Sequence, residues 1–147
     1  MTTRVDYYLL DQSDSRAVHH YACRLLNKAY QAGLRVYVLT ETPAQSRSLD
    51  ELLWSFSDAN FVPHALVESA EALDPLTRVC IGERLEGVSG FDMLVNMQNA
   101  PQLQSTEFTR VAELVSADEA HRQLARRRYA AWRNSGAELN LHEIRIH

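Results

Sequence analysis

Glycine and proline are scarce in this sequence, five and four among 147 residues, which argues against long disordered tracts. Cysteine is scarcer still. Cys23 and Cys80 are far apart, each in an apolar stretch (Tyr21-Ala22-Cys23 and Val79-Cys80-Ile81). That pattern reads as two buried free thiols and not as a disulfide framework. No apolar run is long enough to span a membrane. The N-terminus, Met1-Thr2-Thr3-Arg4-Val5-Asp6, leads into a strand-like segment without the apolar core of a signal peptide, so the expected location is cytoplasmic. Nor is there an excess of positive charge: the formal net charge is −4. A principal nucleic-acid ligand normally demands a basic balance, and only local clustering can reverse that.

Recognisable active sites are missing too. The turn after the first expected strand reads Leu10-Asp11-Gln12-Ser13-Asp14. It holds no glycine to let backbone N–H groups approach phosphate, and it carries two acids that repel phosphate. No Walker sequence and no G-x-S-x-G elbow occurs. The adjacent His19 and His20 point in different directions on a helix, so they make no i,i+4 metal pair. No catalytic residue, cofactor or metal is therefore assigned.

What is present is a regular alternation of strand and helix signals. Val5 to Leu10, rich in aromatic and branched residues, predicts a first strand. Val18, Ala22, Leu25, Leu26 and Ala29 recur at helical spacing between Arg16 and Ala32, and Gly33 stands where a C-terminal cap glycine belongs. Arg35 to Leu39 predicts the next strand, completing a parallel crossover unit. Thr42-Pro43 opens a second helix, ending near Trp54, and Ser55 to His64 is read as a loop. Thr77 to Ile81, Phe91 to Met97 (central) and Phe108 to Val115 predict further strands. Asp118 to Ser135 predicts a helix stopped by Gly136, and Leu139 to Ile146 a final extended segment. The expected fold is one α/β domain spanning residues 1–147. Its doubly wound sheet is mainly parallel or mixed, with mixing expected towards the far edge, and is flanked by helices.

Two features invite a binding function. The last helix carries five arginines. Arg122, Arg126, Tyr129 and Arg133 follow i, i+4, i+7, i+11 spacing, one stripe at about 100° per residue, with Leu124 and Ala131 expected opposite it in the core. Arginine forks suit carboxylates, so an acidic peptide with aromatic character fits. A plain solvated helix face and a single-stranded nucleic-acid surface fit as well. The second feature is an aromatic corner, Leu52-Leu53-Trp54-Ser55-Phe56 and Phe61-Val62-Pro63-His64. It is either loop residues folding back on the core or an exposed patch that docks a partner.

Taken in order, Tyr7-Tyr8-Leu9-Leu10-Asp11, Gly33-Leu34-Arg35-Val36, Leu49-Asp50-Glu51-Leu52-Leu53-Trp54, Phe61-Val62-Pro63-His64, Gln123-Leu124-Ala125-Arg126 and Arg128-Tyr129 resemble the chi subunit of bacterial DNA polymerase III. The resemblance covers most of the chain and is weakest from Val67 to Asn99. It implies an α/β domain similar to mononucleotide-binding proteins but without nucleotide. It also implies a non-catalytic replication adaptor, bound to the psi subunit and through it to the clamp loader. Such a subunit also binds the acidic, Phe-ended C-terminal tail of single-stranded DNA-binding protein, with DNA met only indirectly and no membrane. Carried over by position, the tail site comprises Val115, Arg122, Arg126 and Tyr129, and the psi site Trp54, Phe61 and Pro63. Ala130 stands where some relatives have lysine, a contact that Arg127 or Arg133 can replace. The competing readings are an enzyme of the doubly wound class and a direct single-stranded DNA binder.

Overall fold

Short apolar runs separated by amphipathic helices leave both faces of a sheet to be covered, and that is the arrangement found in the computed structural model. It describes residues 2–55, 62–68, 73–99 and 108–146. The elements in chain order are β1 (Arg4–Leu10), α1 (Ser15–Gln31), β2 (Val36–Leu39), α2 (Pro43–Ser55), β3 (His64–Leu66), β4 (Val79–Gly82), β5 (Met93–Asn96), β6 (Arg110–Val115), α3 (Glu119–Asn134) and β7 (Glu138–Ile144). The strands form one seven-stranded sheet in the order β3-β4-β2-β5-β6-β1-β7.

Every pairing among the described residues is parallel, so the mixing expected towards the far edge does not occur. β7 runs parallel to β1 because α3 carries the chain back along the sheet before β7 begins, with Tyr7 opposite Leu141. β5 is the central strand, as its apolar run predicts. β1 and β2 belong to one crossover unit, yet β5 and β6 are inserted between them. The short edge strand β3 was not predicted. Three residues of mixed polarity carry no period, and His64–Leu66 pairs only with β4.

Alternation along the strands divides the core. Val36 and Val38, Val79 and Ile81, Met93 and Val95, and Ala112 and Leu114 pack under α1 and α2, against Ala22, Leu26, Leu49 and Leu53. Tyr37 and Leu39, Leu94, and Val111 and Val115 face the other way, with Val5, Tyr7, Ala125 and Trp132. Thus α1 and α2 cover one face and α3 the other. Gly33 (φ 83°) and Gly136 (φ 85°) end α1 and α3 in left-handed conformations, the geometry a helix C-terminus favours and other residues resist. Thr42 accepts from the Gln45 N–H at 3.2 Å, with Pro43 in the first turn of α2. Asp14, at the cap position of α1, makes no such bond.

Both cysteines are free and buried. Burial pushes the Cys23 thiol up to about 12, and burial also raises Cys80, against the pull of Arg35. Only the thiolate attacks disulfides. Ellman's reagent is therefore expected to find no fast thiol in the native protein and two in guanidinium chloride. One fast native equivalent would contradict this burial.

Candidate functional site

The site is built where β6, β1 and β7 lie side by side under α3. Period-two alternation sends Tyr7 and Leu9 of β1 towards α3. The register sets Leu9 opposite Val115 on one side and Tyr7 opposite Leu141 on the other. α3 crosses above them with Ala125 buried. Between helix and sheet is a cleft of about 320 Å³, lined by Tyr7, Leu9, Val115, Arg122, Ala125, Arg126, Tyr129 and Leu141. That volume suits a side chain or short peptide end.

The cleft's floor is apolar and aromatic. Tyr129 meets Tyr7 edge to face, centroids 5.4 Å apart, a favoured aromatic geometry. The Tyr7 hydroxyl donates to the Ala125 carbonyl at 3.3 Å, and burial, reinforced by Glu113, raises its pKa far above the usual phenol value. Leu141 remains 58% exposed, an apolar side chain held open at the mouth.

The rim carries two guanidinium groups in different states. Arg122 is braced: Nε donates to Ser116 O at 3.1 Å and Nη2 to Leu10 O at 2.9 Å. It thereby closes the carboxyl ends of β6 and β1 with a charge fixed in place. Arg126, one turn on, is exposed, and among the described residues its ion pair is with Glu119 at 3.2 Å, both side chains about two-thirds exposed. An exposed pair of this kind contributes about 0–1 kcal/mol, so a competing carboxylate can take the fork. At the start of α3, Asp118 accepts the His121 backbone N–H at 2.9 Å. The His121 Nδ1 lies 2.8 Å from Ser116 Oγ, and burial, then Arg128, lowers its pKa.

The structure thus brings Val115, Arg122, Arg126 and Tyr129 into one cleft. Arg133 and Arg127 are exposed on α3 but do not line it. The expected core face of α3 needs correction: Leu124 and Ala131 are only half-buried, and the buried residues are Ala125, Arg128 and Trp132. One of the five arginines is therefore not part of a basic surface at all. Arg128 Nε reaches Glu113 Oε1 at 3.1 Å and Oε2 at 3.2 Å, both residues at most 1% exposed. Trp132 Nε1 donates to the same carboxylate at 3.1 Å and Asn96 Nδ2 at 2.7 Å. Four hydrogen bonds and a countercharge hold this buried acid, and they fix the roll of α3 that presents Arg122, Arg126 and Tyr129 to the cleft. Tyr7, Leu9, Ala125 and Leu141 were missed as lining residues. Alternation within β1 marks Tyr7 and Leu9 as one face, but no local signal tells that β1 sits between β6 and β7.

The second group lies at the opposite edge of the sheet. Trp54, 58% exposed, ends α2 with its ring 4.6 Å from that of His64. His64 is pinned, Nδ1 2.7 Å from Val62 O and Nε2 3.1 Å from Asp50 Oδ1. Pro63 is half-buried beside it, and Phe61 lies outside the described residues. No group of three or more potential metal ligands occurs among the described residues, and no described helix is long and apolar enough to cross a membrane.

The sequence matches the family described as DNA polymerase III chi subunit, HolC, over residues 1–140. It is 36% identical to the DNA polymerase III subunit chi of Pseudomonas aeruginosa over 142 residues, 97% of each chain. The subunit chi of Escherichia coli is 30% identical, over 91% of this chain and 93% of that one. That of Haemophilus influenzae is 29% identical, over 98% and 99%. Among solved structures, bacteriophage T4 UvsW is similar over 97% of this chain and 42% of its own, with a TM-score of 0.73 and 8% identity, a likeness of fold alone. The chain belongs to the chi-subunit family of DNA polymerase III.

Proposed function

We propose that this member of the chi family is a non-catalytic adaptor. It links the clamp loader, through the psi subunit, to the acidic C-terminal tail of single-stranded DNA-binding protein. The observation that carries the reading is the α3 cleft, an apolar and aromatic floor under two guanidinium groups, one braced and one replaceable. A peptide ending in an aromatic residue supplies a ring for Tyr7, Val115, Tyr129 and Leu141, and a terminal carboxylate for Arg126. Upstream acids meet the fixed charge of Arg122. The psi contact is assigned to Trp54 and Pro63 at the far edge, with Phe61 added by the resemblance alone, so that both partners bind at once.

Fluorescence anisotropy with a labelled acidic peptide ending in Phe tests the tail assignment. Wild-type protein is expected to bind saturably at micromolar concentration and more weakly as salt rises. Amidating the peptide's C-terminus should cost at least tenfold, by removing the carboxylate that Arg126 forks. Trp54→Ala should leave this binding intact while weakening a psi heterodimer. If the amidated peptide binds equally well, the carboxylate contact is wrong.

A further inference from the structure

The cleft under α3 uses one face of the sheet, and the other face carries an unexplained charge pattern. α1 contains no acid: its seventeen residues are Ser-Arg-Ala-Val-His-His-Tyr-Ala-Cys-Arg-Leu-Leu-Asn-Lys-Ala-Tyr-Gln. Arg16, His20, Arg24 and Lys28 all lie on its exposed side, each one turn from the next. At about 100° per residue they wind through only about a third of the helix circumference. None of Arg16, Arg24 and Lys28 has an acidic partner among the described residues.

Local energetics disfavour this row. Arg24 and Lys28, like charges at i,i+4, repel. Arg16 sits in the first turn, where the helix dipole favours acids, and Asp14 makes no capping bond there. Arg16, Arg24 and Lys28, cations without an acidic partner among the described residues in a chain of net charge −4, break the local rules without a gain inside the fold, the mark of a surface that serves something else.

A second observation identifies what. On the β7 side of α1, three half-buried rings form a row: Tyr21 is 6.0 Å from Tyr8, and Tyr8 stacks on His142 at 4.9 Å with planes 16° apart. Tyr8 and His142 are register partners on β1 and β7. Flat rings beside a track of cations suit a flexible polyanion whose units carry aromatic faces. Along the helix axis Arg24 and Lys28 are about 6 Å apart and Arg16 and Arg24 about 12 Å, one and two steps between phosphates of an extended single strand. An acidic polypeptide would use the charges but leave the rings idle.

We propose that the outer face of α1, with the ring row Tyr21–Tyr8–His142 beside it, contacts the phosphodiester backbone and bases of single-stranded nucleic acid. This surface lies across the sheet from the tail cleft, so a strand and a peptide are held together and not in competition.

The test is anisotropy of the full-length protein with labelled oligothymidylate across a salt series, with polyglutamate as a competitor of equal charge. Wild type should bind at low ionic strength with a slope of log K against log salt near about −2, from three neutralised phosphates at about 0.7 each. The triple variant R16Q/R24Q/K28Q should lose at least tenfold at low salt and most of that slope. Its melting temperature should be unchanged or higher, and its affinity for the tail peptide unchanged. Arg126→Ala should bind oligothymidylate as wild type does. No binding by wild type at low salt, or equal binding by the triple variant, overturns the proposal. Polyglutamate competing as well as unlabelled oligothymidylate also overturns it, and identifies the surface as one for an acidic protein.

Discussion

Glu113→Ala is expected to destabilise the protein by about 3–5 kcal/mol. The carboxylate is fully buried and takes hydrogen bonds from Arg128, Trp132 and Asn96. Removing it takes the countercharge from the Arg128 guanidinium and the acceptor from a buried indole N–H and amide, and each lost partner costs on its own. Against a total stability of about 5–15 kcal/mol this is a large fraction. At about 2–4 °C per kcal/mol for a domain of this size, the melting temperature should fall by roughly 6–20 °C. Glu113→Gln, which keeps an acceptor and the shape, should cost less than alanine. The double variant Glu113→Met/Arg128→Met should be more stable than Glu113→Ala alone, since it removes the buried cation together with its countercharge. Thermal melts of the four proteins decide the matter, and a Glu113→Ala melt within a degree or so of wild type would mean the network contributes little.

This network also explains where the sequence could and could not be read. β2, β4, β5 and β6, which pack under α1 and α2, carry apolar runs that pattern alone makes legible, whereas the short edge strand β3 beside α2 has none. α1 was legible because Val18, Ala22, Leu25, Leu26 and Ala29 make one buried stripe. α3 was located correctly but rolled wrongly. Leu124 and Ala131 are its obvious apolar residues, whereas the helix buries Arg128 and Trp132. Hydropathy cannot foresee a buried arginine, because its countercharge, Glu113, sits in a strand whose apolar pattern that same acid interrupts. Each residue looks misplaced until the fold sets them 3.1 Å apart. The cleft was half legible for a related reason. Helical spacing groups Arg122, Arg126 and Tyr129, but Tyr7, Leu9 and Leu141 join them only through a strand order in which β1 lies between β6 and β7. Local periodicity holds no information on that order.

The tail cleft gives the second large effect. Arg126→Ala should weaken binding of the Phe-ended acidic peptide by about 2–3 kcal/mol, roughly 30- to 150-fold, while moving the melting temperature hardly at all. The separation of the two readouts follows from how Arg126 is held. Its side chain is 66% exposed and its ion pair with Glu119 is exposed too, so the folded chain loses little when it goes. In the proposed complex the same guanidinium would lie against the peptide carboxylate beside Tyr129 and Val115, and its fork would become the main charge contact. Arg126→Lys should recover only part of the affinity, since an ammonium cannot make the paired contact. Glu119→Gln should strengthen binding by up to about fivefold, because the peptide no longer displaces a resident carboxylate. Arg122→Ala should differ in kind. It loses peptide affinity and stability together, because Arg122 also ties Ser116 and Leu10 at the strand ends. The pattern to look for in paired anisotropy and melting experiments is therefore affinity alone for Arg126 and both quantities for Arg122, with a gain for Glu119→Gln. If Arg126→Ala binds the peptide as tightly as wild type, the replaceable cation is not the carboxylate's partner and the cleft assignment fails.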